Sequence, residues 1–113
     1  MRILVCGGRD FQDVTLLEKT LSQYIYGPED TLIAGKARGA DTLAANYGRR
    51  QGAHVIEFPA NWEQYGKSAG HIRNQQMLDE GKPDLVIAFA GGKGTKNMIE
   101  RSLKAGVEVV VIE

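Results

Sequence analysis

Phe89-Ala90-Gly91-Gly92-Lys93-Gly94-Thr95 stands between the most apolar run of the chain and an amphipathic one. Ahead of it, Leu85 to Phe89 carries only apolar side chains after Asp84, the pattern of a buried strand. Behind it, Met98, Ile99, Ser102 and Leu103 recur at helical spacing. A strand therefore runs straight into a helix. Three glycines in four residues let the backbone turn sharply and approach a ligand closely, and Thr95 is placed to cap the helix. The free N–H groups and the positive dipole end of that helix point at whatever occupies the turn, and an anion fits best. The alternative is a tight connection with no ligand, of the kind every α/β unit needs. A Walker loop is excluded, because Gly-Gly-Lys-Gly-Thr lacks the four residues between the first glycine and the Gly-Lys pair.

Working outward, the same grammar recurs. Arg2 to Cys6 predicts a strand ending in a second glycine turn, Gly7-Gly8-Arg9-Asp10-Phe11. Asp13 then caps a helix with Val14, Leu17, Leu21, Tyr24 and Ile25 on one stripe, stopped by Gly27-Pro28. Thr31 to Ala34 predicts the next strand, followed by Gly35-Lys36-Ala37-Arg38-Gly39-Ala40-Asp41 and a helix over residues 42–51. His54 to Phe58 is a third strand, residues 59–66 are irregular, and a helix runs from about Lys67 to Glu80 before Gly81-Lys82-Pro83. Glu108 to Ile112 is the last strand, after Gly106. Five strands alternating with four helices imply an α/β fold: a parallel sheet covered on both faces through right-handed crossovers. With the spatial order 3-2-1-4-5, the winding reverses between the first and fourth strands, where ligands bind in open sheets. The Gly7 and Gly91 turns then flank one crevice, with the Gly35 to Asp41 turn beside it.

The 113 residues predict a single domain over 1–113 without linker or repeat. Fourteen basic and fourteen acidic residues cancel, which argues against nucleic acid as the main partner. Apolar runs are of strand length, so neither a membrane span nor a signal core is expected. The lone Cys6, in a predicted strand, reads as a buried small hydrophobe and suits a reducing cytoplasm. His54 and His71 lack partners at metal-ligand spacing, so no metal and no cofactor is predicted.

The ligand-binding candidates are Gly7, Gly8, Arg9, Arg38, Gly39, Asp41, Arg73, Asn74, Gly91, Gly92, Lys93, Gly94 and Thr95. Arg73 and Asn74 share a helix with Gly70, which leaves space for the guanidinium to reach an anion; the alternative is a structural salt bridge. Asp41 either accepts from ribose hydroxyls or N-caps its helix. Arg9 is a phosphate clamp or a surface charge. Trp62 and Tyr65 either stack a base or pin the irregular segment to the domain.

Taken together, Gly7-Gly8-Arg9-Asp10-Phe11, Ala37-Arg38-Gly39-Ala40-Asp41, Phe58-Pro59-Ala60-x-Trp62, Tyr65-Gly66-x-x-Ala69-Gly70-x-x-Arg73-Asn74-x-x-Met77 and Phe89 to Thr95 closely resemble the YspA-like, YpsA-related branch of the SLOG superfamily. These are small Rossmann-like proteins related to the DNA-processing protein DprA and to the lonely-guy cytokinin-activating enzymes. The resemblance covers almost the whole chain and implies a three-layer α/β/α fold. It also implies a nucleotide or nucleotide-derived ligand, ADP-ribose-like or cyclic, and a homodimer. Tyr24, Tyr26, Tyr47 and Trp62 exceed what a minimal core needs and lend that dimer some support.

The lonely-guy branch carries Pro-Gly-Gly-x-Gly-Thr-x-x-Glu and an Arg in Arg-Lys-x-x-Met as its catalytic pair. Here Met98 stands where that Glu would be, while Arg73 matches the Arg, Asn74 replaces Lys and Met77 is retained. Ala90 replaces the proline, and Ala34 a His often found in the branch. Glycosidic cleavage passes through a positively charged ribosyl transition state that a carboxylate stabilises. Glu100 lies about 200° further round the helix and does not take over. No catalytic residue is therefore assigned. The expected role is a sensor or sequestering module for a nucleotide. The alternatives are a phosphoribohydrolase acting on nucleoside monophosphates and, against the neutral charge, a DNA-associated processing protein.

Overall fold

The computed structural model describes residues 1–113. In chain order the elements are β1 (Arg2–Cys6), α1 (Val14–Leu21), β2 (Thr31–Gly35), α2 (Ala40–Arg50), β3 (His54–Phe58), α3 (Trp62–Tyr65), α4 (Ala69–Gly81), β4 (Leu85–Ala88), α5 (Lys93–Lys104) and β5 (Glu108–Val111), with a 3-10 turn at Gly66–Ser68 between α3 and α4. All pairs are parallel and the sheet order is β3-β2-β1-β4-β5. This is the Rossmann-like α/β/α arrangement expected from the alternation of elements.

The core divides by the pleat of the strands, since successive residues face opposite sides of a sheet. Ile3 and Val5 of β1, with Leu32, Leu85 and Ile87, pack under Leu17, Leu21 and Ala44 of α1 and α2. Leu4 and Cys6, with Ile33, Val86 and Ala88, pack under Met77, Leu78 and Met98 of α4 and α5. Both faces of β1 and β4 are thus dry, which is why these strands read as unbroken apolar runs. The edge strands β3 and β5 are only half-buried.

Several local expectations are corrected. Helix α1 ends at Leu21, because tight turns take over: Tyr24 N–H donates to the Leu21 carbonyl, and the Ser22 hydroxyl to that of Lys19. Val14, expected on the buried stripe, is 41% exposed, whereas Asp13 does cap the helix through the Leu16 N–H. The segment after β3 is not wholly irregular, since Asn61 caps the single turn of α3 by accepting from the Gln64 N–H at 3.1 Å. Phe89 falls just beyond β4 but stays buried, its ring 5.2 Å from that of Phe11, so one aromatic contact ties the first and fourth turns. Such a contact contributes about 0.5–1.5 kcal/mol beyond its buried area. Of the aromatics considered for an interface, Tyr47 belongs to the core and Tyr26 is exposed.

Candidate functional site

Three glycine turns meet at the C-terminal edge of the sheet and lock backbone to backbone. Gly8 N–H donates to the Ala90 carbonyl at 2.8 Å, and the Gly8 carbonyl accepts from Ala40 N–H at 3.1 Å. A Cβ on Gly7 would lie 2.6 Å from that of Ala40, and one on Gly91 only 2.7 Å from the Gly8 nitrogen. Gly39, at φ 79°, would drive a Cβ into the carbonyls of Gly8 and Arg9. Side chains at these positions would force the turns apart. Gly7, Gly8, Gly39 and Gly91 therefore build the crevice by close approach to each other. Gly92 and Gly94 differ, because a Cβ on either meets nothing. Their open side faces the cleft.

That cleft has a volume of about 380 Å3 and lies across the β1–β4 switch. Gly7, Gly8, Arg9, Asp41, Arg73, Asn74, Gly92, Lys93, Gly94 and Thr95 line it, so ten of the thirteen candidates come together. Gly39 and Gly91 do not line it, and Arg38 lines a second cleft beside it. Trp62, Lys67, Gly70, His71 and Met77 also line the first cleft but were not among the candidates. Lys67 has no sequence signal beyond its charge; Trp62 had one, as an aromatic in a loop.

Helix α5 begins one turn earlier than the capping expectation for Thr95 requires. Gly92 is its N-cap, without a side-chain bond, and Thr95 sits buried in the first turn. The first backbone bond of the helix runs from Lys96 N–H to the Gly92 carbonyl. The amides of Lys93, Gly94 and Thr95 thus have no carbonyl four residues back within the helix and make up its positive dipole end, in residues that line the cleft.

Asn74 holds this seat in place. Its Nδ2 donates to the Gly94 carbonyl at 3.1 Å and to Asn97 Oδ1 at 3.2 Å, while its Oδ1 accepts from Arg73 Nε. Both amide hydrogens are engaged, so the side chain positions α5 and Arg73 rather than offering a free donor. Asn97 is fixed in turn by Arg101, whose Nε donates to it at 2.9 Å.

Arg73 reaches over the end of β2 to the end of β3, where its Nη1 donates to the Phe58 carbonyl at 3.3 Å. Asp41 approaches the same spot: a Cβ on Gly35 would collide with the guanidinium and with Asp41 Oδ2. Gly35 is the space these two groups share. Asp41 is not the N-cap of α2, which is Gly39; it lies in the first turn and closes its own loop by accepting from Ala37 N–H at 3.4 Å. It is 7% exposed, and burial pushes its carboxyl up to about 7 against the opposing pull of Arg73. Burial likewise lowers Arg73, with Asp41 working the other way, although a guanidinium stays charged under any physiological condition. Cys6, at the floor, is pushed up to about 12 by burial and by Asp41, so it is a thiol and not a nucleophile.

Met98 is fully buried among Leu4, Cys6 and Met77, and Glu100 is exposed. Asp41 is the one carboxylate lining the cleft, against the cations Arg9, Lys67, Arg73 and Lys93. A chain with no net charge has gathered positive charge here. Trp62 and Tyr65 are 49% and 42% exposed; the Trp62 ring lies under the Arg9 guanidinium, 5.5 Å from its centroid, with its far edge beside Gly70 of α4. No group of three or more His, Cys, Asp or Glu is arranged to hold a metal ion, and no helix is long and apolar enough to cross a membrane.

Comparison with known proteins agrees with this fold. The model of the YAcAr family, described as the YspA, cpYpsA-related SLOG family, matches residues 1–65. The Gene 61 protein of Mycobacterium phage D29 is 33% identical, the match covering 96% of this chain and 94% of that protein. In the X-ray structure of TM1055, a structural genomics target, a similar fold recurs at a TM-score of 0.70 and 19% identity, over 96% of this chain and 72% of that one.

Proposed function

Because this chain belongs to the YspA, cpYpsA-related SLOG family, we propose that it binds a nucleotide or nucleotide-derived ligand in the cleft at the strand C-termini and serves as a sensor or sequestering module. The observation that carries this reading is the seat at Gly92 to Thr95, where first-turn amides without helical partners stand at the start of α5, in residues that line the same cleft as Arg73. Amides at a helix start and an arginine fork are the groups that a phosphate accepts from most strongly. A phosphate sits there, Asp41 accepts from a ribose hydroxyl, and the base lies against the exposed face of Trp62. Each charge-assisted contact contributes about 1.5–3 kcal/mol.

Mass spectrometry of small molecules released from the purified protein, followed by a thermal-shift screen of adenosine and guanosine nucleotides, including cyclic and ADP-ribose-like ones, tests this. A ligand at a hundred times its Kd adds about 2.7 kcal/mol to native stability, a rise of roughly 10 °C for a domain of this size. A flat screen contradicts the reading.

Asp41 favours a second reading. A buried carboxylate that titrates near neutrality beside an arginine is suited to proton transfer, and it enters the cleft from α2 rather than from the Met98 position on α5. In that case the chain is a nucleoside-monophosphate phosphoribohydrolase with Asp41 and Arg73 as its working pair.

A further inference from the structure

The second cleft, about 430 Å3, opens beside the first and shares Arg9, Trp62 and Arg73 with it. Lys36 and Arg38, from the turn between β2 and α2, line only this second space, over an apolar floor of Pro59 and Ala60. Four cationic side chains therefore face a volume that no carboxylate lines. Arg73 is offset by Asp41, which lines only the first cleft, and Arg38 by Asp10, whose Oδ1 is 3.3 Å away, but the Asp10 and Arg38 side chains are 93% and 75% exposed. An ion pair so open to water holds Arg38 weakly and leaves it available. Like charges brought together around a concave space repel one another and raise the local potential, and an anion relieves both effects.

We propose that this second cleft is a separate phosphate subsite, so that the ligand is a nucleoside bisphosphate with its two phosphates on opposite sides of the ribose rather than a nucleotide phosphorylated at one end. The proposal rests on the reading of the first cleft as a nucleotide seat. Arg9, Arg73 and Trp62 form the waist between the two spaces, where the ribose and base lie. Phosphates joined in a row at the 5′ position remain on the α5 side of that waist. Phosphates on the 3′ and 5′ oxygens straddle it, one on the amides of α5 and the other among Lys36, Arg38 and the two shared arginines.

Calorimetric titration of the full chain with AMP, ADP and adenosine 3′,5′-bisphosphate separates the number of phosphates from their placement, since the last two carry two phosphates each. The bisphosphate is expected to bind about 10- to 100-fold more tightly than AMP, and more tightly than ADP. Lys36→Glu, at an exposed position outside the first cleft, removes most of that gain while AMP affinity changes by less than about twofold. If AMP binds and the bisphosphate binds no better, or if Lys36→Glu weakens both alike, the second subsite is refuted while the first-cleft reading stands. A short oligothymidylate that outcompetes the bisphosphate also overturns the proposal, making the paired clefts a track for a nucleic-acid strand. If none of the compounds binds, this inference falls; the first-cleft reading falls with it only when the thermal-shift screen is flat as well.

Discussion

Protonation of Asp41 is the perturbation whose size follows most directly from the structure. Its carboxyl rises from an ordinary 3.8 to about 7, first because burial penalises the charge, and then because Glu57 on β3 adds repulsion; Arg73 on α4, the Ala37 amide and Arg9 oppose the rise. A group whose folded pKa exceeds its unfolded one favours the native state when protonated. Its contribution is complete below about pH 4 and is lost as pH rises through 7. The span of about three pH units, at about 1.4 kcal/mol each, amounts to something on the order of 4 kcal/mol. Asp41→Asn keeps an acceptor for the Ala37 amide but cannot ionise. In urea unfolding at intervals from pH 4 to 8.5, wild-type stability should fall relative to the variant by about that amount between pH 4 and 7, then run parallel. Anionic ligands should bind less well over the same interval, because the ionised carboxylate faces them. Parallel curves for the two proteins throughout would refute the reasoning.

Gly91→Ala should destabilise the fold by about 1–3 kcal/mol in chemical denaturation, because its Cβ runs into the Gly8 backbone, while Gly92→Ala, with room for its Cβ, should lose only the N-cap preference for glycine, under about 1 kcal/mol. Asn74→Ala should cost about 1–3 kcal/mol and weaken nucleotide binding as well, since the Gly94 carbonyl loses its partner and α5 its tether; an unaltered ligand affinity would remove Asn74 from the positioning role. Incubation with AMP or GMP should release no free base at an enzyme-like rate on chromatography. Robust release that disappears in Arg73→Ala would make Asp41 the catalytic carboxylate. Sedimentation equilibrium should give a homodimer, to which the exposed Leu103 of α5 and Val111 of β5 offer an apolar contact; a 12.4 kDa species alone at high concentration would rule it out.

The fold was legible because its signals are local and repeated. Apolar strands of four or five residues, each followed by a glycine turn and an amphipathic stretch, leave few alternatives to a parallel sheet, and the order 3-2-1-4-5 is one of the few that right-handed crossovers permit. Helix boundaries were less so. Thr95 and Asp41 look like caps because hydroxyl and carboxylate groups favour that position, but Gly39 and Gly92 begin these helices, drawn in by packing between turns distant in sequence. The same packing separates the glycines into two kinds. Nothing local distinguishes Gly91, which must clear Gly8, from Gly92, which faces empty space. Asn74 reads as a ligand donor beside Arg73 until its bonds to Gly94 and Asn97 appear. Lys36 and Lys67 carry no motif at all; only the folding of β2, α3 and α4 around the cleft gives their charge a direction.

Gly92→Asp offers the most direct test of the nucleotide seat. The position has an ordinary φ of −105° and room for a side chain, so the variant should fold with an unchanged far-UV spectrum, yet it sets a negative charge at the start of α5, in the proposed phosphate seat. Titrating wild type and variant side by side with the nucleotide that most raises the melting temperature should give saturable binding to the wild type and none to Gly92→Asp. Equal affinity in the two folded proteins would contradict the account, because no phosphate could then be resting on the amides of Lys93, Gly94 and Thr95.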